Sequence, residues 1–510
     1  MQRVTAVTAG ITSAALGVAV GHLLAGLVSR SASPVVAVGA VVVDLVPLPL
    51  KEFAARVFGV ADKAVLLTVV MVGLAALAGL VGLLGVRSRP AALASMALLG
   101  SIGTVAGVGR AVTTTVAGVG PRVLASAALP GLVATLVACL VLAAQYRRLE
   151  DSGPTSMAGA QAARSRRAFL MGSLGLLAGA GALGWLGSRI RPVAGSPVVL
   201  PPVPSPRPPV PAGLEGQVPG LTPLRTPVAD FYRIDTALVV PHPDLERWRL
   251  VVDGMVGRPY ELTLDDLLAM PLVERDITLT CVSNPVGGNL CGSTRWTGVL
   301  VADLLRRAAP AAGADMVLSR STDGFTASTP LEVLLDGRDA MIALAMDGRP
   351  LTPKHGAPAR LLTPGLYGYV GATKWLTRLT LTTFAADQAY WTVRGWAERG
   401  PVKTEARIDT PHGRVAEGNV PIAGVAWATH RGIGRVEVQV DGGPWQQAVL
   451  GPDVGLDYWR QWYLPWRATR GSHTLVARAY DASGVVQTDR VADVAPDGAS
   501  GYPRVNVTVA

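Results

Sequence analysis

The stretch Asp276-Ile-Thr-Leu-Thr-Cys281-Val-Ser-Asn-Pro-Val-Gly-Gly-Asn289 decides how this chain is read. Its first half alternates apolar and polar residues, the period of a half-buried strand, and its second half breaks into a loop containing Pro and Gly. Ile277, Leu279 and Cys281 share one face of that strand, so the thiol points inward at the strand's end. A thiolate held there is the ligand type that a soft metal centre takes.

Outward from Cys281, residues 229–399 mix short strands with helical pieces. Helices are expected at 264–270 and 300–308, and strands at 249–255, 277–281, 359–362 and 376–382, which makes the class α+β. After residue 405 the pattern is nearly all β, with strand runs at 420–428, 435–440, 459–464 and 473–480. Turns such as Asp441-Gly-Gly and Asp481-Ala-Ser-Gly separate them at the spacing of a β-sandwich, so 400–510 reads as an all-β domain. His412, His430 and His473 stand isolated there and form no metal set.

Upstream lies a proline-rich linker at 191–228, including Leu200-Pro-Pro-Val-Pro-Ser-Pro-Arg-Pro-Pro209. It reads as an extended tether without a packed core, with a reach on the order of 100 Å at ~3.1 Å per residue. Before it, residues 1–163 read as a polytopic all-α membrane domain. Four apolar stretches, 5–28, 64–86, 91–108 and 123–144, are long enough to span a bilayer. A shorter run at 34–50 carries Asp44, is broken by Pro47 and Pro49, and reads as re-entrant or interfacial.

Residues 164–190 combine Ser165-Arg166-Arg167-Ala168-Phe169-Leu170 with an apolar run at 171–187. The motif resembles a twin-arginine export signal without its frequent final lysine. The alternative is an ordinary positive-inside flank, since Arg147 and Arg148 lie nearby. An export signal implies the export machinery as a partner and puts loop 146–168 in the cytoplasm. Everything after residue 187 is then outside, which describes a multi-pass protein of the cytoplasmic membrane with the 229–510 region on the extracytoplasmic side. Gly179-Ala-Gly-Ala-Leu-Gly184 is a literal G-x-G-x-x-G, but no strand precedes it and a dinucleotide site is rejected. His22 is the one histidine of this half, too few for a bis-histidine haem.

Composition agrees with this division. Half of the 510 residues are hydrophobic and only 16% are charged, an excess concentrated before residue 190. Three cysteines, Cys139, Cys281 and Cys291, exclude a disulfide scaffold. The net charge of +10 needs no nucleic acid, because arginines flanking membrane helices and a basic anion pocket account for it.

Residues 229–510 resemble the sulfite-oxidase-type molybdopterin-dependent oxidoreductases, which include the catalytic subunit of periplasmic methionine sulfoxide reductase. Five segments carry the likeness: Cys281-Val-Ser-Asn-Pro-Val-Gly-Gly, Arg295-Trp296-Thr-Gly-Val-Leu, His355-Gly-Ala-Pro-Ala-Arg360, Gly371-Ala-Thr-Lys374-Trp375-Leu and Ala229-Asp-Phe-Tyr232-Arg233. The resemblance implies a molybdenum–molybdopterin cofactor with Cys281 as the metal ligand. It also implies that Arg360 and Lys374 face the cofactor phosphate and that His355 donates to the pterin or its phosphate. Ser321 would offer a hydroxyl, Ala372 and Thr373 backbone groups, and Tyr232 and Arg233 a pterin-touching entry strand. The implied reaction is oxygen-atom transfer, and the resemblance implies that residues 400–510 are an immunoglobulin-like sandwich of the dimerising kind, with a homodimer as the expected assembly. A Cys281–Cys291 disulfide is the alternative that would remove the metal ligand.

Two departures bear on the substrate. The sulfite oxidase metal loop, Cys-x-Gly-Asn-Arg, carries an arginine where this chain has Pro285 and Val286. Its active-site tyrosine, in Arg-Asp-Tyr-Lys-Gly, faces Arg394-Gly395-Trp396-Ala397 here. The cofactor is therefore implied more firmly than sulfite, and reduction of methionine sulfoxide or other S- or N-oxides stands as the alternative activity. A surface scaffold with an inert cofactor domain is the non-enzymatic alternative. The chain contains no haem-attachment or iron–sulfur spacing, so the expected partners are a small-molecule substrate or oxidised protein, a separate electron-transfer partner and the lipid bilayer.

Overall fold

The computed structural model describes residues 2–47, 50, 53, 57, 62–114, 120–151, 159–190 and 198–510. The chain divides into two compact units: Met1–Ala194 with Ala237–Val240, and Gly195–Thr236 with Pro241–Ala510.

The first unit is helical: α1 (Gln2–Val28), α2 (Pro34–Leu45), α3 (Asp62–Leu84), α4 (Arg89–Thr114), α5 (Pro121–Asp151) and α6 (Gly159–Arg189). Five of these are long and apolar enough to cross a membrane. The exception, α2, has 12 residues and spans only about 18 Å, short of a hydrocarbon core. Small residues let the helices approach closely. A Cβ at Gly10 would collide with the carbonyl of Ala78, and one at Gly82 with that of Ala6. Gln145 is buried and satisfied, its Nε2 donating to Thr12 Oγ1 and Ser13 Oγ at 3.0 Å each. Parts of the 51–63 segment and of the 146–168 loop, residues 152–158 of the latter, lie outside the described residues, as do the side chains of Ser165 and Arg166.

The second unit begins with two sheets. One runs β2–β1–β10–β5–β6, built from β1 (Leu250–Gly254), β2 (Tyr260–Leu262), β5 (Met316–Ser321), β6 (Thr326–Pro330) and β10 (Leu376–Thr382). The other runs β3–β4–β7–β8, built from β3 (Val273–Thr280), β4 (Cys291–Leu300), β7 (Met341–Met346) and β8 (Arg349–Pro350), with β9 (Arg360–Leu362) also paired to β7. Every residue of β7 is buried, as its unbroken apolar sequence requires of a strand covered on both faces. The helix Val301–Ala308 buries Val301, Leu304, Leu305 and Ala308, the i, i+3, i+4, i+7 stripe that defines its inner face. A capping box between Thr263 and Asp266 starts the helix Leu264–Leu268.

Nine further strands follow: β11 (Glu405–Thr410), β12 (Gly413–Val415), β13 (Gly418–Trp427), β14 (Ile433–Val440), β15 (Gln446–Gln447), β16 (Val449–Leu450), β17 (Arg460–Ala468), β18 (Gly471–Asp481) and β19 (Arg504–Val509). They form a four-stranded sheet β11–β13–β17–β16 and a five-stranded sheet β12–β19–β18–β14–β15. Residues of both sheets, among them Ile422, Trp462, Val436 and Ala477, share one core.

The tether expectation for 191–228 is corrected from residue 198 onward; residues 191–197 lie outside the described residues. Val198, Leu200 and Val203 pack on the core of the β1–β10 sheet, and Val218 and Leu221 pack on Ala423. Arg207 Nε pairs with Asp276 Oδ2 at 3.0 Å, and Arg295 Nη2 donates to the carbonyl of Pro208 at 2.7 Å. Proline removes donors but leaves carbonyls and apolar rings, so an extended proline-rich strand can dock without joining a sheet.

Candidate functional site

Cys281 follows the last residue of β3, and both it and Cys291 are free thiols. Its N–H donates to the carbonyl of Leu290 at 2.9 Å, while Asn284 N–H donates to the carbonyl of Cys281 at 3.1 Å. Asn284 Oδ1 accepts from Leu290 N–H at 2.8 Å, so residues 281–291 close on themselves. Arg407 of β11 braces this loop from behind, its Nη1 donating to Cys291 Sγ at 3.4 Å and to the carbonyl of Gly288 at 3.3 Å. Burial pushes the Cys281 thiol above its ordinary pKa, opposed by hydrogen bonds from Ser283 and by the charge of Lys374.

Cys281 opens on a cleft whose empty volume is about 930 Å³, open solvent at its mouth included. The cleft brings together Tyr232, Ser321, His355, Arg360, Ala372 and Lys374, segments far apart in sequence. His355 ends the short turn Pro353–His355, and its Nε2 lies 3.1 Å from the carbonyl of Val228. Burial and the adjacent Arg360 charge press its imidazolium pKa down to about 4, so the ring is neutral near pH 7. Arg360 opens β9. Its Nη1 donates to the carbonyl of His355 at 3.2 Å, and its guanidinium lies 5.1 Å from the ring centroid of the fully buried Trp296. Burial lowers even this group, to about 10, and its Nε has no hydrogen-bond partner.

Lys374 Nζ lies 2.7 Å from Asp235 Oδ2 and 4.6 Å from the ring centroid of Trp375. Burial lowers its pKa to about 8 against the pull of Asp235. Ser321 ends β5 and is 1% exposed, with Asp323 N–H donating to its Oγ at 3.4 Å. Tyr232 stacks on Phe231 at 5.5 Å between ring centroids.

Two expected residues fall outside the wall. Thr373 is fully buried behind it, its Oγ1 bonded to Ser319 Oγ at 2.7 Å and its carbonyl accepting from Leu361 N–H at 2.9 Å. Arg233 turns to Asp235, Nε to Oδ2 at 2.8 Å, and reaches the cleft only through that carboxylate. Arg295 is likewise absent from the wall, held by Asp276 at 2.9 Å. Alternation places a side chain on a face but does not say which neighbour covers that face.

The residues missed were Ser283, Asp235, Asp323 and the aromatic residues Phe325, Tyr369 and Trp391, which form a wall with Trp396, the residue in the stretch set against the active-site tyrosine. Two signals were available: an acid two residues after Arg233, and the density of aromatic residues from 384 to 396. Among the described residues, no group of three His, Cys, Asp or Glu is placed to hold a metal.

A family described as the oxidoreductase molybdopterin binding domain matches residues 237–391. Mouse sulfite oxidase is 29% identical over 308 residues, 50% of this chain and 56% of its own length. The chain thus spans about half the length of that relative. An uncharacterized oxidoreductase of Bacillus subtilis, YuiH, is 31% identical over 185 residues, 36% of this chain and 88% of its own length. Rice NADH nitrate reductase is 28% identical over 338 residues, 52% of this chain and 36% of its own. Among solved structures, the sulfane dehydrogenase SoxCD of Paracoccus pantotrophus aligns with a TM-score of 0.47 at 24% identity, covering 52% of this chain and 74% of that one.

Proposed function

We propose that this chain, which belongs to the sulfite-oxidase-type molybdopterin-dependent oxidoreductases, transfers an oxygen atom to or from a substrate outside the cytoplasmic membrane, anchored by its N-terminal helices. It is an oxidoreductase that uses the molybdenum cofactor. The observation that carries the reading of the cleft is the convergence of Cys281, His355 and Arg360, with Arg360 Nε buried and unpartnered. A guanidinium withdrawn from water needs a counter-charge, and a cofactor phosphate meets that need.

When bound, the cofactor supplies two-electron oxygen-atom transfer at molybdenum. Cys281 would ligate the metal as a thiolate, with Ser283 and Lys374 favouring its charged form. Arg360 and neutral His355 would hold the phosphate end, Tyr232 and Ser321 would flank the pterin, and Ala372 would close the cradle. The loop brace from Arg407 would keep Cys281 in register. We read the two-sheet C-terminal region as the immunoglobulin-like, dimerisation-type module of the family. Twin-arginine export and a separate electron-transfer partner complete the proposal.

A second reading is reduction of methionine sulfoxide or other S- or N-oxides. It is supported by Phe325, Trp391 and Trp396 in the wall and by a metal loop, 282–288, that holds no arginine.

The test is elemental and pterin analysis of protein from a molybdenum-replete host, with Cys281→Ser beside it. Wild type should contain molybdenum. The variant should retain part of the pterin and lose turnover by on the order of 10³-fold. Metal-free wild-type protein, or undiminished turnover in Cys281→Ser, would sink the proposal.

A further inference from the structure

A short turn carries Trp396 into the cleft wall. The turn Thr392–Arg394 ends at Gly395, whose φ of 89° suits glycine and redirects the backbone just before the indole. Trp396 N–H then donates to the carbonyl of Trp391 at 3.2 Å, and Ala397 N–H to that of Pro496 at 3.0 Å. Tyr369 Oη donates to the carbonyl of Ala397 at 2.7 Å. The indole is thus held between two other rings of the wall. Trp391 lies 5.9 Å away at 70° and Tyr369 5.9 Å away at 56°, centroid to centroid.

Trp396 is 7% exposed, and its Nε1 has no hydrogen-bond partner. Native proteins leave few buried donors unpaired, because each forfeits its hydration. The cations of the wall are already engaged: Lys374 by Asp235, and Arg360 by the phosphate end of the cofactor as assigned above. His355 belongs to the same phosphate-holding set, and Ser283 hydrogen-bonds to Cys281. Among the described residues lining the cleft, Trp396 therefore offers an N–H that neither the protein nor the cofactor-holding set uses.

The chemistry of that donor selects a ligand. An indole N–H donates and cannot accept, and it brings no charge. Phe325, Trp391 and Ile234 border the same space, so the matching solute is apolar apart from one acceptor oxygen. An uncharged sulfoxide or amine oxide has that form. A solute of the same shape without the oxygen leaves the N–H unpaired.

We propose that Trp396 is the specificity-determining residue of the cleft: its Nε1–H takes the oxygen of an uncharged sulfoxide or amine oxide on an apolar group, and so separates such oxides from oxygen-free solutes of the same shape. The inference rests on the reading of the cleft as the cofactor and substrate site, and it names the oxygen-binding donor for the second reading above.

The test uses detergent-solubilised full-length protein with isotope-labelled indole nitrogens, oxidised and without an electron donor, so that the probe binds and is not turned over. The probe is methyl p-tolyl sulfoxide, with the isosteric hydrocarbon p-cymene as its shape control. The Trp396 N–H resonance, identified by its loss in Trp396→Phe, should move downfield as the sulfoxide saturates and stay in place with p-cymene. Trp396→Phe keeps an aromatic ring and removes the donor. It should bind the sulfoxide about tenfold more weakly than wild type and p-cymene equally well. A merely structural role for the ring would weaken both ligands alike and leave the resonance unmoved. Should Trp396→Phe fail to fold, Trp396→Tyr identifies the resonance and the wild-type shift decides. An unmoved Trp396 resonance, or equal sulfoxide affinity in wild type and folded Trp396→Phe, overturns the inference. Molybdenum is measured on the same samples. Metal-free wild type counts against the function proposed above, whereas metal-replete wild type with an unmoved resonance counts against this inference alone.

Discussion

A single buried carboxyl illustrates how residue-scale energetics follow from position. Glu405 of β11 is 3% exposed, and its Oε2 has no hydrogen-bond partner. Burial pushes its pKa from 4.5 up to about 8, with Lys403 pulling the other way. A raised carboxyl pKa stabilises the fold fully below the unfolded value, and that stabilisation is lost as pH rises through about 8. Glu405→Gln should therefore match wild type near pH 4.5 and exceed it increasingly as pH rises toward 8, by up to about 5 kcal/mol, read by denaturant unfolding at both pH values. Cys281, His355, Arg360 and Lys374 were singled out in the sequence by the short motifs they sit in, and the structure brings the four to one cleft. Asp235 was not, because its meaning depends on Lys374, 139 residues away along the chain.

At the scale of elements, alternation and helical period placed the strands and helices they picked out to within a few residues, as with 376–382 against Leu376–Thr382, but did not pick out β4 to β7, β11 or β19. These patterns work because each element must bury one face or stripe. The proline-rich segment failed the same kind of reading: its composition forbids a ladder of hydrogen bonds but says nothing against docking on a finished surface. Leu224 within it is 1% exposed, and its carbonyl accepts from Trp459 Nε1 at 2.7 Å. Leu224→Ala should cost about 2–4 kcal/mol in the unfolding of the second unit, as for other core truncations. A change near zero would mean that the segment is a loose tether after all.

For the whole molecule, hydropathy divides the chain. Among the described residues, five helices are long and apolar enough to cross a bilayer, and the β-rich unit follows them in the chain. The paired arginines before the last apolar run make a separate prediction. Replacing Arg166 and Arg167 by lysine should keep the catalytic unit in the cytoplasm, read as loss of signal from a reporter that is active only outside. Continued export of the double-lysine chain would restore the reading of these residues as an ordinary positive-inside flank.

The sequence by itself determined the class of chemistry, the apolar helices and the alternating strands, because thiol softness, hydropathy and side-chain period are properties of neighbouring residues. Only the tertiary structure decided which charges meet. It turned Arg233 and Lys374 onto Asp235, buried Thr373 behind the wall, placed Trp391 and Trp396 in the cleft, and braced the Cys281 loop with Arg407. Ion pairing and burial depend on distances that fall below 4 Å only after strands distant in sequence come together, and no local pattern encodes them.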